Sequence, residues 1–216
     1  MVRKISWKTY LTAAVVTGVI FIVGINFGYL ISGEKIEILR NDLENLIIQS
    51  QDTETGFTLL NSYGTQSCNS IRYELNKTTY LASKLGDRLI AFDIAETFKE
   101  AEYYNLRDQY MLTLVRFWLF WNLFKENCEN SVNTILYFYS IGDCSDCTPQ
   151  GLVLSTLKRE YPEDIMIFSL DFNSDLYSIN LLKNSFNITT TPTLIINRDK
   201  YEGFRDYNAL KQILKL

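Results

Sequence analysis

The first strong feature of the hydrophobic pattern is an uninterrupted apolar run. Residues 10–31, YLTAAVVTGVIFIVGINFGYLI, fill 22 positions without a charge. At ~1.5 Å per residue, a helix of that length crosses a ~30 Å hydrocarbon core. A cleaved signal peptide has a shorter apolar core of about 7–15 residues followed by small residues at a cut site, whereas SGEKIEIL follows here. The run is therefore read as an uncleaved anchor. Arg3, Lys4 and Lys8 precede it, while Glu34, Lys35, Glu37 and Arg40 after it nearly cancel, so the positive-inside bias keeps the N-terminus in the cytoplasm. The expectation is a single-pass cell-membrane protein: residues 1–9 cytoplasmic, 10–31 in the lipid bilayer, and everything after about Ser32 extracytoplasmic.

Beyond the run, Ile36, Leu39, Leu43, Leu46 and Ile47 recur at steps of mostly three and four, an amphipathic helical stripe. Two heptads are too few to establish a coiled coil between copies, which leaves a homodimer open. The Gly, Ser, Asn and Thr content of QDTETGFTLLNSYGTQS marks a break, and two long helical patterns follow, over about 68–92 and 94–127. Within the second, MLTLVRFWLFWNLF is only 14 residues long and contains Arg116 and Asn122, so it reads as a buried helix and not as a span. Residues 32–130 are thus expected to form a helical domain, free to hold the rest of the chain at a distance, to dimerise, or to dock a membrane redox partner.

The pattern then changes period. NTILYFYS is a β-rich apolar run, and DCSDCTPQGLVLSTLKREY switches to helical spacing through Leu152, Leu154, Leu157 and Tyr161. IMIFSLDF reads as a second strand, SDLYSINLLKNSF as a helix, TPTLIIN and YEGF as two strands separated by RDK, and DYNALKQILKL as a last helix. The order over 133–216 is βαβαββα, and the fold class of the whole is α+β.

Composition narrows the chemistry. With 47 % hydrophobic and 21 % charged residues over 216 positions, the chain can bury a core. A net charge of −4 provides no basic field, so nucleic acid is not an expected partner. There is no histidine, which removes imidazole bases, Ser-His and Cys-His dyads and imidazole metal ligands. That leaves thiols, carboxylates, tyrosines and amines.

The four cysteines are Cys68, Cys128, Cys144 and Cys147. Cys68 opens the first long helical pattern and Cys128 closes the second, so a hairpin folded near Asp93 returns both to one side. Outside the cytoplasm a structural disulfide is the simpler reading, and a second redox pair exchanging with Cys144 and Cys147 is the sharper one. A four-thiolate metal site would need all four to converge and lacks the usual two close pairs, so neither metal nor cofactor is expected.

Cys144 and Cys147 form a Cys-X-X-Cys at the first strand-to-helix junction, and Thr191-Pro192 opens the third strand. In this element order the two features resemble the thioredoxin-like superfamily over residues 133–216, about 40 % of the chain. The resemblance implies Cys144 as the attacking thiol, Cys147 as the resolving thiol, and a cis Pro192 that lets Thr191 offer its backbone to an extended client. It implies thiol–disulfide exchange with extracytoplasmic protein thiols or disulfides. A binding or assembly module that keeps the fold without the chemistry is the alternative.

The physical chemistry of the motif points the same way. The thiolate is the attacking species, and a helix N-terminus stabilises it through free N–H groups and the dipole; Cys147, one turn further on, is the more buried. Asp143 and Asp146 flank the nucleophile and disfavour its anion, which leans the site away from the strongly oxidising extreme. Tyr137 and Phe138 occupy the first-strand positions where thioredoxins bury a carboxylate.

Overall fold

The computed structural model describes residues 7–63, 68–94, 101–128 and 132–216. The elements are α1 (Trp7–Tyr63), α2 (Cys68–Ile94), α3 (Ala101–Asn127), β1 (Asn133–Tyr139), α4 (Cys147–Glu160), β2 (Ile165–Asp171), α5 (Tyr177–Ser185), β3 (Thr193–Ile196), β4 (Asp199–Glu202) and α6 (Tyr207–Leu214). The chain divides into two compact units, Met1–Asp42 and Leu43–Leu216.

The first unit is the N-terminal part of α1, and it corrects the expected anchor. Among the described residues no helix is long and apolar enough to cross a membrane. The transmembrane part of the α+β fold class, the single-pass placement with a cytoplasmic N-terminus and an extracytoplasmic C-terminal domain, and the lipid-bilayer contact through 10–31 therefore lose their basis.

The second unit holds the remaining elements. The break expected over 51–67 is helical as far as Tyr63. Thr53, Thr55 and Thr58 turn their hydroxyls back to the carbonyls of Gln49, Gln51 and Glu54, so these polar side chains are absorbed by the helix they were expected to end. Residues 64–67 lie outside the described residues.

α2 and α3 are 27 residues each. Along α2, Leu75, Ala82, Leu85 and Leu89 are buried at helical spacing, and along α3 Leu106, Phe117, Trp121 and Phe124 are buried too. Polar ends are satisfied across the pair: Trp121 Nε1 donates to Thr79 Oγ1 at 3.0 Å, Tyr110 Oη to the carbonyl of Ala82 at 3.0 Å, and Tyr103 Oη to that of Leu89 at 3.1 Å. Close approach requires Gly86, where an added Cβ would lie 2.3 Å from Tyr110 Oη. The 111–124 segment lies within α3 and buries one face, Met111, Leu114, Phe117, Trp121 and Phe124 among it, while Leu112, Leu119 and Leu123 stay exposed, so the expected buried helix is buried only in part.

The expected βαβαββα order is the order observed over 133–216, in a four-stranded sheet arranged β2-β1-β3-β4. β1 runs parallel to β2, and β3 is antiparallel to both β1 and β4. Alternation along β1 divides the core. Ile135 and Tyr137 pack with Leu154 and Leu157 of α4 and Leu210 and Leu214 of α6. Thr134, on the opposite parity, donates to Asn122 Oδ1 of α3, and Trp118 of α3 meets Phe186 edge-on beside α5. The β3–β4 turn is Asn197-Arg198, both at positive φ, as a two-residue hairpin turn demands. β4 accordingly starts at Asp199, ahead of the expected YEGF.

Candidate functional site

β1 leaves the sheet at Tyr139, and the chain reaches α4 through residues 140–146. Gly142 takes φ +91 in this turn, a conformation in which a Cβ is strained. Cys144 and Cys147 are disulfide-bonded with a Cα–Cα distance of 5.4 Å. Cys144 is half-buried, Cys147 is 5 % exposed, and Asp143, Ser145 and Asp146 are exposed. The two sulfurs thus differ in access as their expected roles require. α4 begins at Cys147, so Cys144, expected at a helix N-terminus, stands three residues ahead of the first helical residue. Asp146 occupies the N-cap position without a side-chain capping bond.

Thr191-Pro192 is a cis peptide. Because Phe138 of β1 pairs with Thr193 of β3, Thr191 and Pro192 come to the end of β1 from which the disulfide loop departs. Ser140 and Thr191 share a hydroxyl–hydroxyl hydrogen bond of 3.0 Å there. Thr191 is half-buried and Pro192 buried.

Cys68 and Cys128 are bonded to each other, with Cα atoms 5.8 Å apart. α2 continues through Asp93, past the expected turn, and the equal lengths of α2 and α3 match their outer ends; residues 95–100 lie outside the described residues. The C-terminal turns of α3 sit at the start of β1 and at the β3–β4 turn, through Asn122 with Thr134, Lys125 with Asn197 and Glu126 with Arg198. The redox loop leaves the other end of β1. Seven residues at ~3.3 Å each make β1 about 20 Å long.

Several participants were not foreseen from sequence. Gln150 is fully buried, and its amide both donates to the carbonyl and accepts from the N–H of Arg205, tying α4 to the segment after β4. Gly203 of that segment donates to the carbonyl of Pro192. The signal for Gln150 is its place in the 147, 150, 154, 157 stripe, where a polar residue among buried positions needs a fixed partner. Asp171, at the end of β2, is buried against Arg107 of α3 at 3.4 Å and accepts from the N–H of Asn173. Tyr137 donates to the carbonyl of Cys147 at 2.6 Å, and burial, helped by Tyr139, pushes its hydroxyl well above the usual phenol range.

No family model matches the sequence, and no curated protein matches it. Among solved structures, one described as a malarial protein aligns at 22 % identity over 39 % of this chain and 94 % of that one, with a TM-score of 0.34. Chloroplastic thioredoxin z aligns at 19 % identity over 44 % of this chain and 85 % of its own, with a TM-score of 0.35. Mitochondrial thioredoxin 3 from Saccharomyces cerevisiae, in its oxidized form, aligns at 20 % identity over 44 % and 88 %, with a TM-score of 0.33. Each alignment takes in less than half of this chain.

Proposed function

We propose that this chain is a thiol–disulfide oxidoreductase acting on protein substrates through Cys144 and Cys147. The observation that carries the reading is the pair itself: a half-buried Cys144 bonded to a buried Cys147 where β1 gives way to α4. In the reducing direction, the Cys144 thiolate attacks one sulfur of a client disulfide. A mixed disulfide forms and one client thiolate leaves. The Cys147 thiolate then attacks Cys144 Sγ, closing the intramolecular disulfide and expelling the second client thiolate. Two electrons pass to the client, and the protons given up by the two cysteines end on the client thiols. The oxidising direction is the same sequence reversed. Thr191, half-buried and tied to Ser140, is positioned to offer backbone to an extended client segment.

The test uses full-length protein and a disulfide-bonded client. Cys144→Ser should abolish exchange, and Cys147→Ser should accumulate a mixed disulfide through Cys144. A pair that cannot be reversibly reduced and reoxidised, or serine variants that keep full activity, would exclude the enzyme and leave a binding module.

A further inference from the structure

We infer that Tyr137 is a positioning residue of the redox pair, its hydroxyl holding the main chain of Cys147 in place when the disulfide is open. The inference rests on the exchange reaction proposed above.

Tyr137 lies in the middle of β1, directly beneath the first turn of α4, and is buried. Its Oη donates to the Cys147 carbonyl at 2.6 Å. The ring is set from two sides. Tyr139 lies against it at 5.7 Å between centroids, and Gly151 of α4 lies over it, a Cβ there standing at ordinary contact distance, 3.9 Å from Tyr137 Cε1. Burial keeps the phenol protonated, so it is a permanent donor and cannot serve as the base that takes a proton from Cys147.

The other side of Cys147 is also held, its N–H pointing to the carbonyl of Cys144 at 3.4 Å. In the oxidised form the covalent bond dominates these two contacts. In the reduced form they add to the helical bonds of α4 in fixing the Cys147 backbone relative to Cys144. Ring closure depends on the effective concentration of the Cys147 sulfur at Cys144, and that concentration falls as the backbone gains freedom. An exposed turn would exchange this bond for water. Here the site is buried, and the carbonyl's second partner is Tyr137.

The experiment compares full-length wild type, Tyr137→Phe and Tyr207→Phe in glutathione redox buffers, quantifying oxidised and reduced protein by alkylation. Tyr207→Phe is the control: it too removes a tyrosine hydroxyl bound to α4, but at the far end, on Glu160. Tyr137→Phe should lower the equilibrium constant for closing the Cys144–Cys147 disulfide by at least about 2-fold and at most about 12-fold, the worth of one net hydrogen bond being the ceiling because the bond is made in both forms and only the freedom gained by the reduced form shifts the balance. For a two-electron couple this is a shift of about 10–30 mV toward the oxidising side. Resolution of the mixed disulfide should slow by a similar factor, and Tyr207→Phe should change neither quantity. Tyr137→Phe indistinguishable from wild type, or both variants shifted equally, overturns the assignment. If the wild type itself shows no equilibrium with glutathione, the functional reading falls, and the Tyr137 assignment falls with it. If the wild type cycles and Tyr137→Phe matches it, only the assignment falls.

Discussion

Replacing Cys68 and Cys128 together by alanine tests the division of labour between the two disulfides. The residues are 60 apart in sequence. The chain-entropy relation for a closed loop of that size gives about 14 cal/mol/K, or about 4 kcal/mol at 25 °C. The same relation for the Cys144–Cys147 loop, with a separation of 3, gives only about 1.6 kcal/mol. The long bridge is thus the one with a substantial conformational effect. Its cysteines are only half-buried, so truncation adds little cavity cost. Guanidinium denaturation followed by tryptophan fluorescence suits the measurement, because Trp118 and Trp121 lie on α3 and Trp121 bonds across to α2. The double variant should lose about 2–5 kcal/mol with a higher denaturant slope, since the freed denatured chain expands. The glutathione equilibrium of Cys144–Cys147 should be unchanged, the two bonds lying at opposite ends of β1. A loss below about 1 kcal/mol would refute the staple. Failure of exchange in a folded double variant, or a covalent link from Cys68 or Cys128 to Cys144 during turnover, would establish a relay in its place.

Gly86→Ala should destabilise the α2–α3 pair by about 1–3 kcal/mol, because the new methyl meets Tyr110 Oη; adding Tyr110→Phe should recover part of that loss, and strictly additive effects in denaturation would count against the close approach. Asp146→Asn removes an exposed charge beside the thiol pair and should shift the potential toward the oxidising side by less than about 20 mV; a shift in the reducing direction would show that the carboxylate does not oppose the thiolate. Burial pulls Lys158 from 10.5 down to about 8, against the smaller opposing pull of Asp164 and Glu163. The unfolded chain then binds this proton more tightly, so the stability of wild type relative to Lys158→Met should rise as pH goes from about 8 to 10.5. A flat or falling difference would mean that the carbonyls of Pro162 and Ile165, which the ammonium contacts at 2.6 and 2.7 Å, outweigh burial.

Local pattern was enough to place the C-terminal elements, because the continuous apolar run over 133–139 and helical spacing from Leu154 to Leu157 report burial directly. The Cys-X-X-Cys junction and Thr191-Pro192 were legible for the same reason: they are short, contiguous and set by neighbouring residues. The 68–128 pairing was only half legible. Cysteines at the outer ends of two helical patterns suggested it, but the bond depended on α2 running past Asp93, which hydrophobic spacing does not measure. Composition misled at 51–63, where Thr and Gly were read as a break and the threonine hydroxyls instead closed back onto the helix. At the N-terminus, an uncharged run of 22 positions was read as a span, whereas the described helix contains none. The contacts that shape the site joined residues far apart in the chain: Gln150 with Arg205, Ser140 with Thr191, Arg107 with Asp171. Such pairs have no local signature, since each side chain finds its partner only once sheet order and helix packing have brought two distant segments within hydrogen-bond reach. Tyr137 and Cys147 are only ten positions apart, yet their contact is tertiary as well, because a strand and a helix must first be stacked before a phenol on one can meet a carbonyl on the other.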